Sequence, residues 1–314
     1  MNATPARILV IGDANADLVL HGDVVPRFGQ AEQLLTAADL VLGGSAAIVA
    51  CGLARLGVPT SLVAVIADDL SGHEVLSALI AAGVSTEAID LREGEVTGLS
   101  VHLSALGDRA ILTLPGSVAA LDAAAVRAAV ERCDPQRVHV ASPFLIPRLT
   151  AQLPSLLAEW RAAGIGSSLD TNWDPSEQWI GITECLADLD VLLPNAVELG
   201  ALAALAVPEG RDADSAAAAI AALGPRVVVK SGADGGRSFD RFGMRWDVRG
   251  LTVDVVDTTG AGDSFDAGYL AALAYGIEDE AVRLRWATVA GSLSTRAAGG
   301  TAGQATLDEL RAAV

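Results

Sequence analysis

The sequence predicts an α/β protein built on a doubly wound, mostly parallel sheet that carries a small β-lid. Three observations lead there. Short Val/Ile/Leu runs alternate with helical stretches along most of the 314 residues, the pattern of strands joined through helices. Two segments, about 17–42 and 98–114, break that rhythm and read as hairpins with no helix between their halves. Near the C-terminus, Asp257-Thr258-Thr259-Gly260-Ala261-Gly262-Asp263 stands between an alternating segment and an unbroken helical run, so a glycine turn opens a helix.

Arg7 to Gly12 reads as a buried parallel strand, and Gly44 to Leu56 as a helix closed by Gly57. Thr60 to Ile66 is the next strand. Ser71 is expected to cap the following helix, with Glu74 completing a capping box and Gly83 stopping it. Leu99–Leu103, a Gly107-Asp108 turn and Ala110–Leu114 form one hairpin of the lid. Val138–Ala141, Ile165–Leu169, Val191–Leu193 and Arg226–Lys230 continue the main sheet, with a helix over Leu149–Ala163. Leu251 to Val256 alternates toward a short strand, and Ser264 to Tyr275 is helical. The whole of 1–314 is expected to form one such domain, its hairpin segments projecting as a lid or, alternatively, extending the central sheet.

Half of the chain is apolar and aromatic residues are scarce, so the core is expected to be Val, Leu, Ile and Ala. A formal net charge of −18 disfavours nucleic acid and anionic membranes as partners, since both need clustered Lys and Arg. Cys51, Cys133 and Cys185 are odd in number and widely spaced, which fits reduced core thiols in a cytoplasmic protein. No apolar run is long enough to span a bilayer, and the N-terminus runs directly into a strand rather than through a signal sequence. His21, His73, His102 and His139 show no zinc spacing and read as structural.

At a helix N-terminus, the amides of Gly260, Ala261 and Gly262 and the positive end of the helix dipole suit an anion such as a transferring phosphoryl group. Asp263, in the first turn, is placed to take a proton from an attacking hydroxyl. At the end of the first strand, Asn15 and Asp17 suit recognition of sugar hydroxyls, which both donate and accept.

The string Asp257 to Tyr269 resembles the C-terminal signature of the ribokinase-like (PfkB family) carbohydrate kinases, and other family elements recur in order along nearly the whole chain. The resemblance implies a ribokinase-like fold and ATP-dependent transfer of the γ-phosphoryl group to a hydroxymethyl group. It implies Asp263 as base and the glycine turn as anion hole. Gly43-Gly44-Ser45-Ala46-Ala47-Ile48 resembles the N-terminal signature, whose double glycine lets substrate lie against the backbone; Ile48 stands where the family usually has a substrate-contacting Asn. Asn15, Asp17, Gly43, Gly44, Ile48 and Arg109 are thereby the expected sugar contacts. Asn195-Ala196-Val197-Glu198 resembles the element beside Mg²⁺, held directly or through water. Lys230, Gly232, Ala233 and Gly235, with Asn195 and Thr259, are the expected nucleotide contacts, Lys230 either reaching a phosphate or remaining a solvated strand-end cation. Asp257 resembles a ligand for a monovalent cation such as K⁺.

Asp170-Thr171-Asn172-Trp173-Asp174 partly resembles an Asp-x-Asn-x-Arg element, with Asp174 where Arg would serve an acidic substrate. The expectation is therefore a small neutral sugar or sugar-like alcohol, with a homodimer through the β-lid. A nucleoside kinase, for which Phe28 is the obvious aromatic platform, and a catalytically silent sugar-binding homologue are the alternatives.

Overall fold

The structure is a computed structural model that describes residues 4–29, 32–105, 108–206 and 212–314, leaving out the side chains of 104, 105, 108 and 109. Fourteen strands are assigned among these residues: β1 Ile8–Ile11, β2 Asn15–Gly22, β3 Leu35–Gly43, β4 Thr60–Val63, β5 Val65–Ala67, β6 Asp90–Arg92, β7 Leu99–Ala105, β8 Asp108–Leu114, β9 Arg137–Ala141, β10 Gly166–Asp170, β11 Val191–Leu192, β12 Arg226–Lys230, β13 Gly236–Phe239 and β14 Arg245–Val248.

Eight of them form the main sheet in the order β14-β13-β12-β11-β10-β9-β1-β4. All pairings from β12 to β4 are parallel, and β13 and β14 add an antiparallel edge. Parallel strands must be covered on both faces, and β1 shows how: Leu9 and Ile11 join the core under the helices Ala123–Cys133 and Leu153–Ala162, while Ile8 and Val10 join the core under Ser45–Arg55 and Ala261–Ala274. The chain leaves β1 toward β4 on one side and returns at β9 on the other. That reversal opens a crevice at the carboxyl ends of β1 and β9, where ligands bind in such sheets.

A second sheet, ordered β3-β2-β7-β8, is built from the two hairpin-like segments, with β2 and β7 paired in parallel. It stands over the same crevice, because β2 begins only four residues after β1 ends.

Four expected elements differ in detail. Asp69, not Ser71, caps the helix Leu70–Ala81, accepting from the Gly72 amide at 2.7 Å. Thr97 donates to the same carboxylate through its amide at 2.9 Å and its hydroxyl at 2.7 Å, a competition Ser71 cannot match. Thr60–Ile66 is divided at Ala64, β4 joining the main sheet and β5 pairing with β6. The helix expected over Leu149–Ala163 is broken: a short turn of helix, Pro147–Thr150, comes first, and the main helix begins at Leu153, where Pro154 fits the first turn without needing an amide partner. Leu251–Val256 joins no ladder: its alternating side chains face a cavity rather than a sheet.

Candidate active site

Asp263 lies in the first turn of the helix Ala261–Ala274. The turn before it requires glycine. Gly260 has φ 70°, and a Cβ there would stand 2.7 Å from the Gly300 Cα of the C-terminal loop. Of the three amides expected to be open, that of Ala261 instead donates to the Thr258 carbonyl at 3.2 Å, because the turn closes on itself. The Gly262 and Asp263 amides belong to the first turn, which has no intrahelical acceptor to offer them.

The Asp263 carboxylate is held by a chain of side chains from three other elements. Ser45 Oγ donates to Asp263 Oδ1 at 2.5 Å, Asn172 Nδ2 donates to Ser45 Oγ at 3.2 Å, and Asn172 Oδ1 accepts from the Ser142 amide at 2.8 Å. Oδ1 is thus occupied by Ser45. Burial pushes the Asp263 carboxyl up to about 7, with Asp170 and Asp13 adding to the rise and Ser45 and Lys230 opposing it.

Two cavities meet at this turn. The larger, about 450 Å³ and within the usual range of small-molecule sites, is lined by Lys230, Gly232, Ala233 and Gly235 on one side and by Thr258, Ala261 and Gly262 on the other. Leu251, Val253, Val255 and Phe265 give it an apolar wall. The smaller, about 200 Å³, is lined by Asn15, Asp17, Gly44, Ile48, Thr259, Gly260 and Asp263, together with Asp13, Ser45, Ser100 and His102.

Most expected contacts are therefore gathered, with specific exceptions. Thr259 faces the smaller cavity rather than the larger, and Asn195 lines neither, although it bridges to Lys230 beside the larger one. Gly43 lies behind Asp17: a Cβ there would be 2.0 Å from Asp17 Oδ1, so glycine makes room for that carboxylate. The side chain of Arg109 lies outside the described residues. Phe28 is fully exposed and lines neither cavity.

Lys230 is not a solvated strand-end cation. Its ammonium donates to Asp170 Oδ2 at 2.6 Å and to Asp266 Oδ2 at 3.1 Å, and its side chain is 10% exposed. Burial alone would push the ammonium down, but the attraction of Asp170 and Asp266 overrides it and holds it above its ordinary value. Burial pushes the Asp266 carboxyl well up, with the Lys230 charge opposing. Burial also opposes ionisation of Asp170, yet the Lys230 charge wins and holds that carboxyl low. Burial, then the Asp170 charge, push Glu198 up to about 7.

Asn195 and Glu198 face each other as a helix cap. Asn195 Oδ1 accepts from the amides of Val197 and Glu198, and the Glu198 carboxylate accepts from the Asn195 amide at 2.8 Å and from its Nδ2 at 2.6 Å. Asp257 ties two loops together, accepting from the Thr259 amide and the Gly299 amide, each at 2.9 Å. Asp174 is turned away from the site: it accepts from the amides of Ser176, Gln178 and Trp179 and closes its own loop.

Three residues of the site escaped the sequence. Asp13 caps the helix Ser45–Arg55 from 32 residues away, accepting from the Ser45 amide at 3.2 Å and the Ala46 amide at 3.0 Å. Ser45 carries no signature of its own within a run of small residues. His102 lines the smaller cavity, where it had read as structural; the alternation of Ser100 and His102 with Leu99, Val101 and Leu103 marked that face as polar.

Residues 5–307 match the pfkB family of carbohydrate kinases, and the chain belongs to that family. It is 27% identical over 298 residues to a ribokinase of Haemophilus influenzae, covering 93% of each chain. It is 32% identical over 271 residues to an ATP-dependent ribose-1-phosphate kinase of Halopiger xanaduensis, covering 84% of each. Among solved structures, an Arabidopsis thaliana ribokinase complexed with ribose and ATP superimposes with a TM-score of 0.82 at 24% identity over 98% of both chains. An E. coli protein in complex with ATP and Mg²⁺ gives 0.84 at 23% identity, also over 98% of both. The ribokinase-like fold expected from the sequence is thus the observed one, and the protein is a sugar kinase of the ribokinase type.

Proposed function

We propose that the protein transfers the γ-phosphoryl group of ATP to a hydroxymethyl group of a small neutral sugar, with Asp263 as general base. One observation carries this reading: the glycine turn is the shared wall of two cavities, with Thr258, Ala261 and Gly262 on one side and Thr259, Gly260 and Asp263 on the other. A nucleotide in the larger cavity and a sugar in the smaller would meet across a helix N-terminus, where Asp263 Oδ2 takes the hydroxyl proton and the turn amides of Gly260 and Gly262 stabilise charge on the phosphoryl oxygens.

Gly232, Ala233 and Gly235 would let the nucleotide lie against the backbone, and Val253, Val255 and Phe265 would cover its apolar face. Asp170 and Asp266 are already engaged by the Lys230 ammonium, and among the described residues no group of three or more His, Cys, Asp or Glu side chains could hold a metal ion outright. Both Glu198 oxygens already accept from Asn195, so these two residues would hold Mg²⁺ through its water shell. Mg²⁺ supplies charge neutralisation between the phosphates. Asp257 would bind a monovalent cation together with carbonyls of the loop it ties to the turn. Exposed Leu35, Leu40, Leu112 and Leu114 on the second sheet support a homodimer through that sheet, which sedimentation at several concentrations tests.

A neutral substrate follows from the smaller cavity: Asp13, Asp17 and Asp263 line it, and no Lys or Arg does among the described residues. A phosphosugar would bring roughly two negative charges against them. The test is ADP release across neutral sugars, sugar acids, phosphosugars and nucleosides, with and without K⁺. Turnover of a neutral sugar is expected. In Asp17→Ala the sugar KM should rise at least about tenfold while ATP binding stays in place, because Asp17 touches the sugar cavity only. Preference for a phosphosugar or nucleoside, or no ADP with any acceptor, overturns the reading.

A further inference from the structure

The roof of the smaller cavity is one face of the second sheet. Asp17, Ser100 and Thr113 share one rung of the ladder across β2, β7 and β8, and Val19, His102 and Ile111 the next. Side chains two residues apart on a strand share a face, so Ser100 and His102 both turn toward the cavity, which they line with Asp17, Ile111 and Thr113. The polar groups on this face are bonded to one another, with one exception. Asn15 Nδ2 donates to Asp17 Oδ1 at 2.8 Å, and the Ser100 and Thr113 hydroxyls are 3.1 Å apart.

His102 is the exception. Its side chain is 8% exposed, and its Nε2 lies 3.0 Å from Asp17 Oδ2. The alignment there falls short of a hydrogen bond, so both ring nitrogens are buried without a partner. A buried imidazole in that position has the Asp17 carboxylate beside it but no hydrogen bond until a ligand supplies one.

We propose that His102 is a specificity-determining residue that, with Asp17, brackets one hydroxyl of the sugar. A hydroxyl suits this pair because it accepts from an imidazole N–H and donates to a carboxylate at once. A carboxylate or phosphate group would accept from His102 but would be repelled by Asp17, and a methylene would leave the imidazole unpaired. The pair thus selects a secondary hydroxyl on the carbon under β2 and β7 and rejects the corresponding deoxy sugar and sugar acid. This rests on the sugar-kinase reading of the smaller cavity.

The experiment compares the parent chain with His102→Ala and His102→Gln on ribose, fructose and the monodeoxy analogues of each, by ADP release and by calorimetric binding. In His102→Ala the KM for the preferred sugar should rise about 10- to 100-fold, the scale of one buried hydrogen bond. The KM for ATP should hold. Against one particular deoxy analogue, the one lacking the bracketed hydroxyl, parent and variant should be alike, and His102→Gln should regain part of the discrimination. An equal loss on the sugar and on every deoxy analogue would make His102 only a support for Asp17 and overturn the proposal. If the parent neither binds nor turns over any of these sugars, the smaller cavity does not receive a sugar of this kind, and this proposal falls with that reading of the cavity.

Discussion

Asp263→Asn is expected to fold as the parent does and to lose on the order of 10²- to 10⁴-fold in kcat, the range typical of removing a general base. The amide preserves the shape and can still accept from Ser45 Oγ, so the chain from Ser142 through Asn172 to Ser45 survives. What it cannot do is take a proton. In the parent, kcat/KM should fall as pH drops below about 7, since the carboxyl pushed up by burial must ionise to act. The stability sign is the opposite. A folded value raised above the unfolded one means that the native chain binds more protons between about 4 and about 7, so ionisation of Asp263 destabilises the fold as pH rises through that window. The Asn variant escapes this cost, and its melting temperature at pH 8 should equal or exceed the parent's. Turnover within a few-fold of the parent would remove Asp263 from the mechanism, and a much lower melting temperature would show that the side chain holds the helix rather than the reaction.

The main sheet was legible because parallel strands buried on both faces must be continuous apolar runs, and Ile8–Ile11 or Val227–Val229 admit no other reading. The glycine turn was legible because backbone geometry restricts it: at Gly260 a positive φ and the nearness of Gly300 both demand glycine. Other parts are set by neighbours far away in sequence. Leu251–Val256 alternates as a strand does, but what its alternate side chains meet is a cavity wall built by residues such as Lys230 and Gly291. The helix Ser45–Arg55 has no cap at its own N-terminal residue because Asp13 supplies one from another strand's end. Asp174 shows a different limit. Its sequence reading rested on the Arg that is missing there, and what the carboxylate itself does, accepting from three amides of its own loop, depends on the fold of that loop.

Lys230→Met is expected to destabilise the protein by about 3 to 5 kcal/mol at neutral pH, the usual cost of removing one partner from a buried ion pair. Methionine nearly matches the volume of lysine, so the loss reports charge rather than a cavity. Lys230 is the counter-ion that holds the buried Asp170 carboxyl low, while burial pushes Asp266 beside it up. Without the ammonium, burial governs Asp170, and its carboxyl must either remain charged and unpaired or take a proton. The pH dependence follows from that reversal. In the parent, the depressed Asp170 contributes stability that is present above its unfolded value near 4 and is lost as pH falls through the folded one. In the variant its folded value rises, so stability declines as pH increases past about 4. The gap in melting temperature between the two chains should therefore be widest above pH 7, narrow toward pH 4 and narrow further below it. Adding Asp170→Asn should recover much of the loss, since the orphaned charge is then gone. The Asp170 charge pushes Asp263 up and the Lys230 charge holds it down, so losing both together should leave the acid limb of kcat/KM near its parental position in Lys230→Met. A melting temperature that is unchanged at pH 7, or a gap that widens toward pH 4, would mean that the ammonium does not hold this cluster together.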